Sequence, residues 1–345
     1  MPVTNKLGLP EPFVQAATKD YTYKPKRYSV TTLLNSEREI MLKRRHNDEL
    51  TIDVSDMIWA IFGTAVHGVL ENSNKAEHLL TEQYLSIPIT LNDGDIYTLS
   101  GVCDLFNTKE GEVIDYKVTS TFKALKKDYE DYRMQGLMYC YMIRKQYHGE
   151  LKLRKITQNN FEKLSVEGLV NNTTVYCIVD DEKDEDLIIP ENYNPTKATF
   201  YMILRDWQKS KAKFDRDYPQ SQVIPVTFNF TDKDFEWIEQ WIKDKFEAIK
   251  AAEQLPDNEL PLCSEKDRWK TEDVWAVKKR GRKSALRLLN SEQEALDYKA
   301  KHGGDFIEFR QGSDRKCADG YCGACQFCQY WIKNYKDKGE TNDQE

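Results

Sequence analysis

The sequence predicts an α/β fold with a mixed central sheet flanked by helices. Between residues 55 and 146, apolar residues first recur every three or four positions, then every second position, and then every three or four again. These spacings indicate the order helix–strand–strand–strand–helix. The length of 345 residues allows one large or two modest domains with a sizeable core.

The first helices follow an N-terminal arm. Residues 1–28 are rich in proline, lysine and tyrosine and are predicted to be extended. Residues 29–46, SVTTLLNSEREIMLKRRH, predict one capped helix, with Ser29 among the candidate N-caps. A second helix is predicted over about 55–73, where the apolar residues have the spacing of a buried face.

Three strands and a long helix are predicted next. Residues 82–91 and 95–108 alternate between apolar and polar side chains, and the Asn-Asp-Gly sequence at 92–94 is typical of a hairpin turn. Residues 111–120 predict the third strand, and an amphipathic helix is predicted over about 123–146.

The second half of the chain is predicted to extend the α/β pattern and then to change in character. Its predicted elements are strands at 172–181 and 222–230, helices at 195–215 and 232–253, a linker at 255–261, a small basic module at about 274–312 and a disordered polar tail from 336.

Charge and hydropathy restrict the class of protein. The formal net charge is -7, which does not by itself indicate nucleic-acid binding, but local basic patches exist. The densest patch comprises Lys278, Lys279, Arg280, Arg282, Lys283 and Arg287. No apolar run reaches the roughly 20 residues that span a bilayer, and the N-terminus lacks the apolar stretch of a secretory signal. We therefore expect a cytoplasmic protein that does not associate with membranes.

Two acids and a lysine form the strongest catalytic signal. Asp115 and Lys117 point to the same face of a hydrophobic strand, where charges need a partner or a metal. Asp104, on the neighbouring strand, supplies a second carboxylate. Carboxylates bind hard cations such as Mg²⁺ or Mn²⁺. Such a cation polarises a phosphate and activates a water molecule that the lysine can orient, so phosphodiester hydrolysis would use this set of residues.

Four polar residues on the predicted helices accompany these acids. His67 precedes the acidic strands and suits Mn²⁺ better than Mg²⁺, although a lone helical histidine is more often structural. Glu71 shares its face, as a further metal ligand or as a solvated side chain. Gln135 and Tyr139 are one turn apart and could hydrogen-bond a phosphate backbone or brace the lysine.

Eight cysteines occur in the chain. Cys103, Cys140 and Cys177 lie in separate apolar segments and are predicted to be buried. The other five lie in the last quarter of the chain and are Cys263, Cys317, Cys322, Cys325 and Cys328. In a reducing compartment such a cluster indicates a metal rather than disulfides. Four thiolates bind Zn²⁺ or an iron–sulfur cluster, and the C-x-x-C spacing alone favours zinc.

The motifs of the first half together resemble the RecB-type branch of the PD-(D/E)XK nucleases. Within residues 63–139 they are Gly63-x-x-x-His67, Gly101-x-x-Asp104, Asp115-x-Lys117 and Gln135-x-x-x-Tyr139, in that family's order. The family's nominal Pro-Asp is replaced here by Gly-Val-Cys-Asp.

The resemblance implies a restriction-endonuclease-like core and a role for each motif residue. The implied metal ligands are His67, Asp104, Asp115 and the Tyr116 carbonyl oxygen, and the implied catalytic residues are Asp104, Asp115, Lys117, Gln135 and Tyr139. Lys117 would be the catalytic lysine, and Gln135 and Tyr139 would support the DNA side of the site.

The cysteines are similar to those of the RecB-type CRISPR adaptation nucleases, of the AddB subunit of a bacterial recombination nuclease and of phage-encoded RecB-like nucleases. The resemblance implies a [4Fe–4S] cluster that staples the C-terminal region to the nuclease fold, with Zn²⁺ as the alternative. Its ligands would be Cys263, Cys317, Cys322 and Cys328, with Cys325 as an alternative to Cys328. Two features depart from the pattern: Cys263 follows the core, and there is one cysteine too many.

These observations divide the chain into four predicted segments: an N-terminal arm and helix (1–54), a nuclease core with extensions (55–254), a cysteine-cluster region with the basic module (255–335) and a disordered tail (336–345). The resemblance implies a metal-dependent DNA exonuclease acting on ends or single strands in recombination, replication or repair. The alternatives are a non-catalytic nucleic-acid-binding protein with a degenerate nuclease fold and structural zinc, and a restriction-type endonuclease.

Overall fold

The structure is a computed structural model that describes residues 2–18, 23–74, 76–147, 153–156, 175–178, 187–188 and 194–336. It divides into two compact units. The sheet unit comprises Val3–Leu34 and Ile52–Glu247, and the cysteine unit comprises Met1–Pro2, Asn35–Thr51 and Ala248–Glu345. The predicted tail lies outside the described residues from 337 onward.

The strands and helices are numbered in chain order. The strands are β1 (Val3–Thr4), β2 (Arg27–Ser29), β3 (Ile52–Asp53), β4 (Leu79–Thr90), β5 (Ile96–Asn107), β6 (Glu112–Thr119), β7 (Leu153–Ile156), β8 (Val175–Ile178), β9 (Leu187–Ile188), β10 (Lys197–Leu204), β11 (Val223–Asn229), β12 (Val274–Lys278), β13 (Arg287–Leu289) and β14 (Phe306–Arg310). The helices are α1 (Glu11–Ala17), α2 (Val30–Leu33), α3 (Glu37–Arg45), α4 (Ile58–Ser73), α5 (Thr121–Lys126), α6 (Glu130–Tyr147), α7 (Lys209–Phe214), α8 (Asp232–Glu253), α9 (Glu292–His302), α10 (Arg315–Ala318) and α11 (Gln329–Asn334).

A six-stranded mixed sheet forms the centre of the sheet unit. The strand order is β11-β10-β6-β5-β2, and β4 also pairs with β5. The β10–β6 and β2–β5 pairs are parallel, whereas the other pairs are antiparallel. Helix α6 lies against β4 and β10, and α4 lies against β6. The predicted mixed sheet flanked by helices is therefore confirmed.

The predicted hairpin and several helix boundaries follow from local chemistry. Gly94 has a φ of 88° in the turn between β4 and β5, which glycine adopts at little cost. The single helix predicted over 29–46 is two helices, because Ser29 caps α2 and Ser36 caps α3. The helix predicted over 123–146 is likewise divided at Lys127, which ends α5 in a left-handed conformation.

Two other predictions need correction. Residues 195–215 were predicted to be helical, but they contain β10 followed by the short helix α7. The conformation of β10 is set by its pairing with both β6 and β11, which no local sequence pattern records. The predicted extended arm contains helix α1. The strand predicted over 172–181 is described only at Val175–Ile178, as strand β8.

The basic module of the cysteine unit is a small folded element. Its sheet has the order β13-β12-β14, and α9 lies against β12 and β13. The chain enters and leaves the module through a narrow neck. Lys270 and Asp314 form an isolated bridge, and the Thr271 N–H donates to the Ser313 carbonyl at 3.0 Å. Within the described residues, no helix is both long and apolar enough to cross a membrane.

Gly136 tests the packing of α6 on the sheet. A Cβ at this position would lie 2.6 Å from the Ala198 Cβ and 3.0 Å from the Phe200 ring. We expect Gly136→Ala to lower the free energy of unfolding by about 1–3 kcal/mol, as overpacking does. Gly63→Ala is the matched control in α4, since nothing lies within 4 Å of a Cβ added there. This change should raise the free energy of unfolding by about 0.5–1 kcal/mol. Urea unfolding measures both changes, and a Gly136→Ala protein as stable as the wild type would contradict the close packing.

Candidate functional site

Asp115 and Lys117 lie on the same face of β6, two residues apart. Lys117 Nζ lies 2.6 Å from Asp115 Oδ1. Asp115 is 2% exposed, and this burial raises the pKa of its carboxyl group to about 6, with the nearby charge of Asp104 acting in the same direction. The ammonium group of Lys117 opposes both effects. The pair is therefore a buried acid whose charge depends on an adjacent cation.

Gln135 and Tyr139 hold this acid from helix α6. Gln135 Nε2 donates to Asp115 Oδ2 at 2.9 Å, and the Gln135 side chain also hydrogen-bonds Tyr139. A Cβ at Gly101 would lie 2.8 Å from the Tyr139 ring, so the ring fits there because residue 101 has no side chain. Both α6 side chains are buried. Gln135 therefore contacts Asp115 directly, and Tyr139 is linked to it through Gln135.

His67 joins α4 to the two acidic strands. Its Nε2 lies 2.8 Å from the Tyr116 carbonyl oxygen, and its Nδ1 lies 3.4 Å from Asp104 Oδ2. The same Asp104 oxygen accepts the Tyr116 backbone N–H at 2.9 Å. Three of the residues implied as ligands, His67, Asp104 and Tyr116, thus lie within hydrogen-bond or ion-pair distance of one another.

Glu82 is a site residue that the four motifs do not include. Thr81 pairs with Leu105 and Gln83 pairs with Cys103, so Glu82 stands opposite Asp104 in the β4–β5 hairpin. Counting equal numbers of residues outward from the predicted turn at 92–94 would have identified it.

The backbone and charge of Glu82 are both unusual. Its φ of 47° is rare for a residue other than glycine, and strain of this kind often occurs at functional sites. Burial raises the pKa of Glu82 to about 7, and the charges of Asp104 and Glu71 contribute in the same direction. Glu71 therefore lies near enough to influence Glu82 electrostatically.

The donor set suits a divalent cation. One ligand atom each from His67, Glu82 and Asp104 lie within 4.8 Å of one another. Two carboxylates and an imidazole can bind Mg²⁺ or, with better use of the imidazole, Mn²⁺. The Asp115 carboxylate is not one of these three groups and is held by Lys117 and Gln135.

The clustered cysteines form a second candidate site, in the cysteine unit. One cavity there is lined by all five of them, Cys263, Cys317, Cys322, Cys325 and Cys328. The predicted burial of Cys103 and Cys140 is confirmed, and the Cys177 side chain lies outside the described residues.

Arg38 is a buried cation at the wall of this cavity. It donates from Nε to the Pro261 carbonyl at 2.9 Å and from Nη2 to the Leu260 carbonyl, while Nη1 lies 3.7 Å from Cys328 Sγ. Ser36 Oγ lies 3.0 Å from Cys263 Sγ. A guanidinium group and a hydroxyl beside the sulfurs can stabilise thiolates.

Burial and neighbouring thiolates raise the thiol pKa values. Burial, then Cys322, Asp314, Cys263 and Cys328, raise the pKa of Cys317 to about 12. Burial also raises the pKa of Cys322 to about 11. Because the thiolate is the metal ligand, a bound cation would have to displace these protons.

Comparison with known proteins identifies the class of the chain. A model described as the PD-(D/E)XK nuclease superfamily matches residues 72–265, more than half of the chain. The chain therefore belongs to the PD-(D/E)XK nuclease superfamily, whose members use divalent metals such as Mg²⁺. The match includes Glu82 and the acidic strands, and His67 lies just before it.

Among solved structures, the crystal structure of SSO0001 is similar over 66% of this chain and 79% of that chain, with 15% sequence identity and a TM-score of 0.40. No curated protein sequence gives a significant match.

The raised carboxyl pKa values predict pH-dependent metal binding. Metal ligands must be deprotonated, so protons compete with the cation as the pH falls through the pKa of Glu82, about 7. We expect Mn²⁺ affinity to be about tenfold lower at pH 6 than at pH 8. Calorimetric titration with Mn²⁺ measures this. Glu82→Gln should weaken binding and reduce its pH dependence, whereas Glu110→Gln on the surface should change neither. Equal affinity at both pH values would contradict the assignment.

Proposed function

We propose that this nuclease is a metal-dependent DNA exonuclease acting on DNA ends or single strands. The observation that carries the proposal is the convergence of His67, Glu82 and Asp104 beside the buried Asp115–Lys117 pair. A non-catalytic protein would have no evident use for a buried acid, a lysine and a set of metal ligands on adjacent strands.

His67, Glu82 and Asp104 would hold the Mg²⁺ or Mn²⁺ ion, with the Tyr116 carbonyl and Asp115 as further donors. Such an ion polarises a phosphodiester and lowers the pKa of a bound water molecule. The chain itself supplies the lysine. Asp115 holds the Lys117 ammonium group at 2.6 Å. The ammonium group can then orient a water molecule or balance negative charge that develops on the phosphate.

Preference for ends or single strands is supported by resemblance. The Gly63-x-x-x-His67 and Gln135-x-x-x-Tyr139 motifs resemble the RecB-type branch rather than restriction endonucleases. We infer a cytoplasmic role in recombination, replication or repair, in a host or a phage. Gln135 and Tyr139 act as positioning residues, because both are buried and they hold Asp115 through one hydrogen-bonded chain.

We further propose that Cys263, Cys317, Cys322 and Cys328 bind a [4Fe–4S] cluster. The charges that affect the Cys317 thiol include those of the other three cysteines. In the described part of the chain, no three cysteine sulfurs lie within 4.8 Å of one another. Tetrahedral zinc would bring them to about 3.8 Å. The wider spacing favours a multi-iron cluster, and the buried Arg38 offsets the negative charge of such a centre.

Substitutions in β6 test the nuclease proposal. Asp115→Asn or Lys117→Met should lower Mn²⁺-dependent degradation of end-labelled linear DNA at least about a hundredfold, because each removes a charge from the site. Lys126→Met removes a charge from the nearby helix α5 and should leave the rate unchanged. Wild-type activity in both β6 variants would refute the site.

Covalently closed circular duplex is the companion substrate and should resist degradation. Discrete fragments from closed circles would identify an endonuclease. Absence of cleavage of any DNA by the wild-type protein would favour the non-catalytic alternative.

Iron content tests the cluster proposal. Protein purified anaerobically should be brown and contain about four irons per chain. Changing any of Cys263, Cys317, Cys322 or Cys328 to serine should remove the iron and lower the melting temperature, whereas Cys325→Ser should do neither. One zinc and no iron would replace the cluster with a zinc site. Loss of iron in Cys325→Ser, together with retention of iron in Cys328→Ser, would show that Cys325 and not Cys328 is the fourth ligand.

A further inference from the structure

The turn between β12 and β13 concentrates positive charge. Residues 278–287 contain six basic residues and no acid, in a chain with a formal net charge of -7. Five of the six are exposed, namely Lys279, Arg280, Arg282, Lys283 and Arg287. Of the six, Lys278 alone has an ion-pair partner within the described residues, Glu308 at 3.1 Å. The exposed five are therefore available to an anionic ligand.

Hydrogen bonds fix the backbone of this turn. Gly281 has a φ of 76°, and the Arg282 N–H donates to the Lys279 carbonyl at 3.1 Å. The Arg280 N–H donates to Asp305 Oδ2 at 2.6 Å, and the Leu286 N–H donates to the Val277 carbonyl at 2.7 Å. The cations are thus presented from an ordered turn, which lowers the entropy cost of binding.

Exposed aromatic rings lie on both faces of the same small sheet, Phe306 on one and Phe309 on the other. Phe306 is 41% and Phe309 is 54% exposed, although side chains of this size are usually buried. Lys278 Nζ lies 5.8 Å from the centre of the Phe306 ring. Strand pairing opposes Phe309 to Trp275 and Arg287 to Val277, which places Phe309 and Arg287 on one face of the sheet.

Exposed cations and an exposed aromatic ring on one face of a small sheet match the chemistry of an unpaired nucleic-acid strand. Phosphates bind the cations, and unpaired bases stack on the rings without regard to sequence. A duplex would offer phosphates but no free base faces. We propose that the basic module is a single-stranded nucleic-acid-binding site. It is additional to the proposed active site, and its binding requires neither metal nor cleavage.

Charge removal tests the proposal in the full chain. Binding of a fluorescein-labelled oligothymidylate is measured by anisotropy at several salt concentrations, without added divalent metal. Two triple variants are compared, Arg280→Ala/Arg282→Ala/Lys283→Ala in the module and the control Lys109→Ala/Lys233→Ala/Lys266→Ala, which removes three exposed lysines outside the module. The module variant should bind at least about tenfold more weakly, and the slope of log affinity against log salt should fall by about 2. The control should stay within about twofold of the wild type.

Loss of the Phe309 ring tests the stacking. Phe309→Leu should weaken single-strand binding about fivefold or more without changing the salt slope, because no charge is removed. It should not affect binding of a duplex of equal length. Melting curves establish that each variant is folded.

Wild-type affinity in the module triple variant, or an equal loss in the control, overturns the proposal. Unchanged single-strand affinity in Phe309→Leu also overturns it, because the single-strand assignment depends on stacking. Cleavage is assayed separately with metal, so failure of the nuclease proposal would leave this result intact.

Discussion

The carboxylate of Asp115 is buried in the central strand β6, and the surrounding elements are arranged to satisfy its charge. Lys117 pairs with one of its oxygens and Gln135 donates to the other. Gln135 is also hydrogen-bonded to Tyr139, whose ring occupies the space left free at Gly101 on β5. One buried charge therefore constrains β5, β6 and α6 together. Burying an isolated carboxylate would cost much free energy. Here the hydrogen bonds and the ion pair offset that cost, because each neighbouring group is itself held in place.

The two candidate metal sites follow the same electrostatic principle. Glu82 and Asp104 face each other across a hairpin, and burial with like charges nearby raises the pKa of Glu82. In the cysteine unit, burial likewise raises the pKa of Cys317 and of Cys322, and neighbouring thiolates raise that of Cys317 further. In each site, burial and nearby negative charge make it unfavourable for all of the acidic groups to be ionised at once. A cation relieves that repulsion, so metal binding and the folded geometry should stabilise each other.

Much of the sheet unit could be predicted from the sequence, because periodicity and turn residues are local signals. The β4–β5 hairpin and the position of Asp115 beside Lys117 are examples. Pairing between strands that are distant in the sequence was harder to predict. Residues 195–215 were wrongly predicted to be a helix. The strand β10 was missed because its parallel partner β6 lies far away in the sequence. Glu82 was missed because its left-handed backbone and its opposition to Asp104 depend on register, which no short motif records. The convergence of the five cysteines on one cavity was predictable from their clustering, whereas the contribution of Arg38 was not.

The neck of the basic module shortens the length of free chain between Cys263 and Cys317. The Lys270–Asp314 bridge brings the two ends of the module together, so the residues between them close on themselves. The chain left free between the two cysteines is therefore only the short stretch on either side of the neck. While the module stays folded, bringing the two cysteines together orders only that free stretch and not the full separation in sequence. Because segments with adjacent ends tolerate changes in length, we expect residues added or removed within the module to leave the thiol geometry undisturbed.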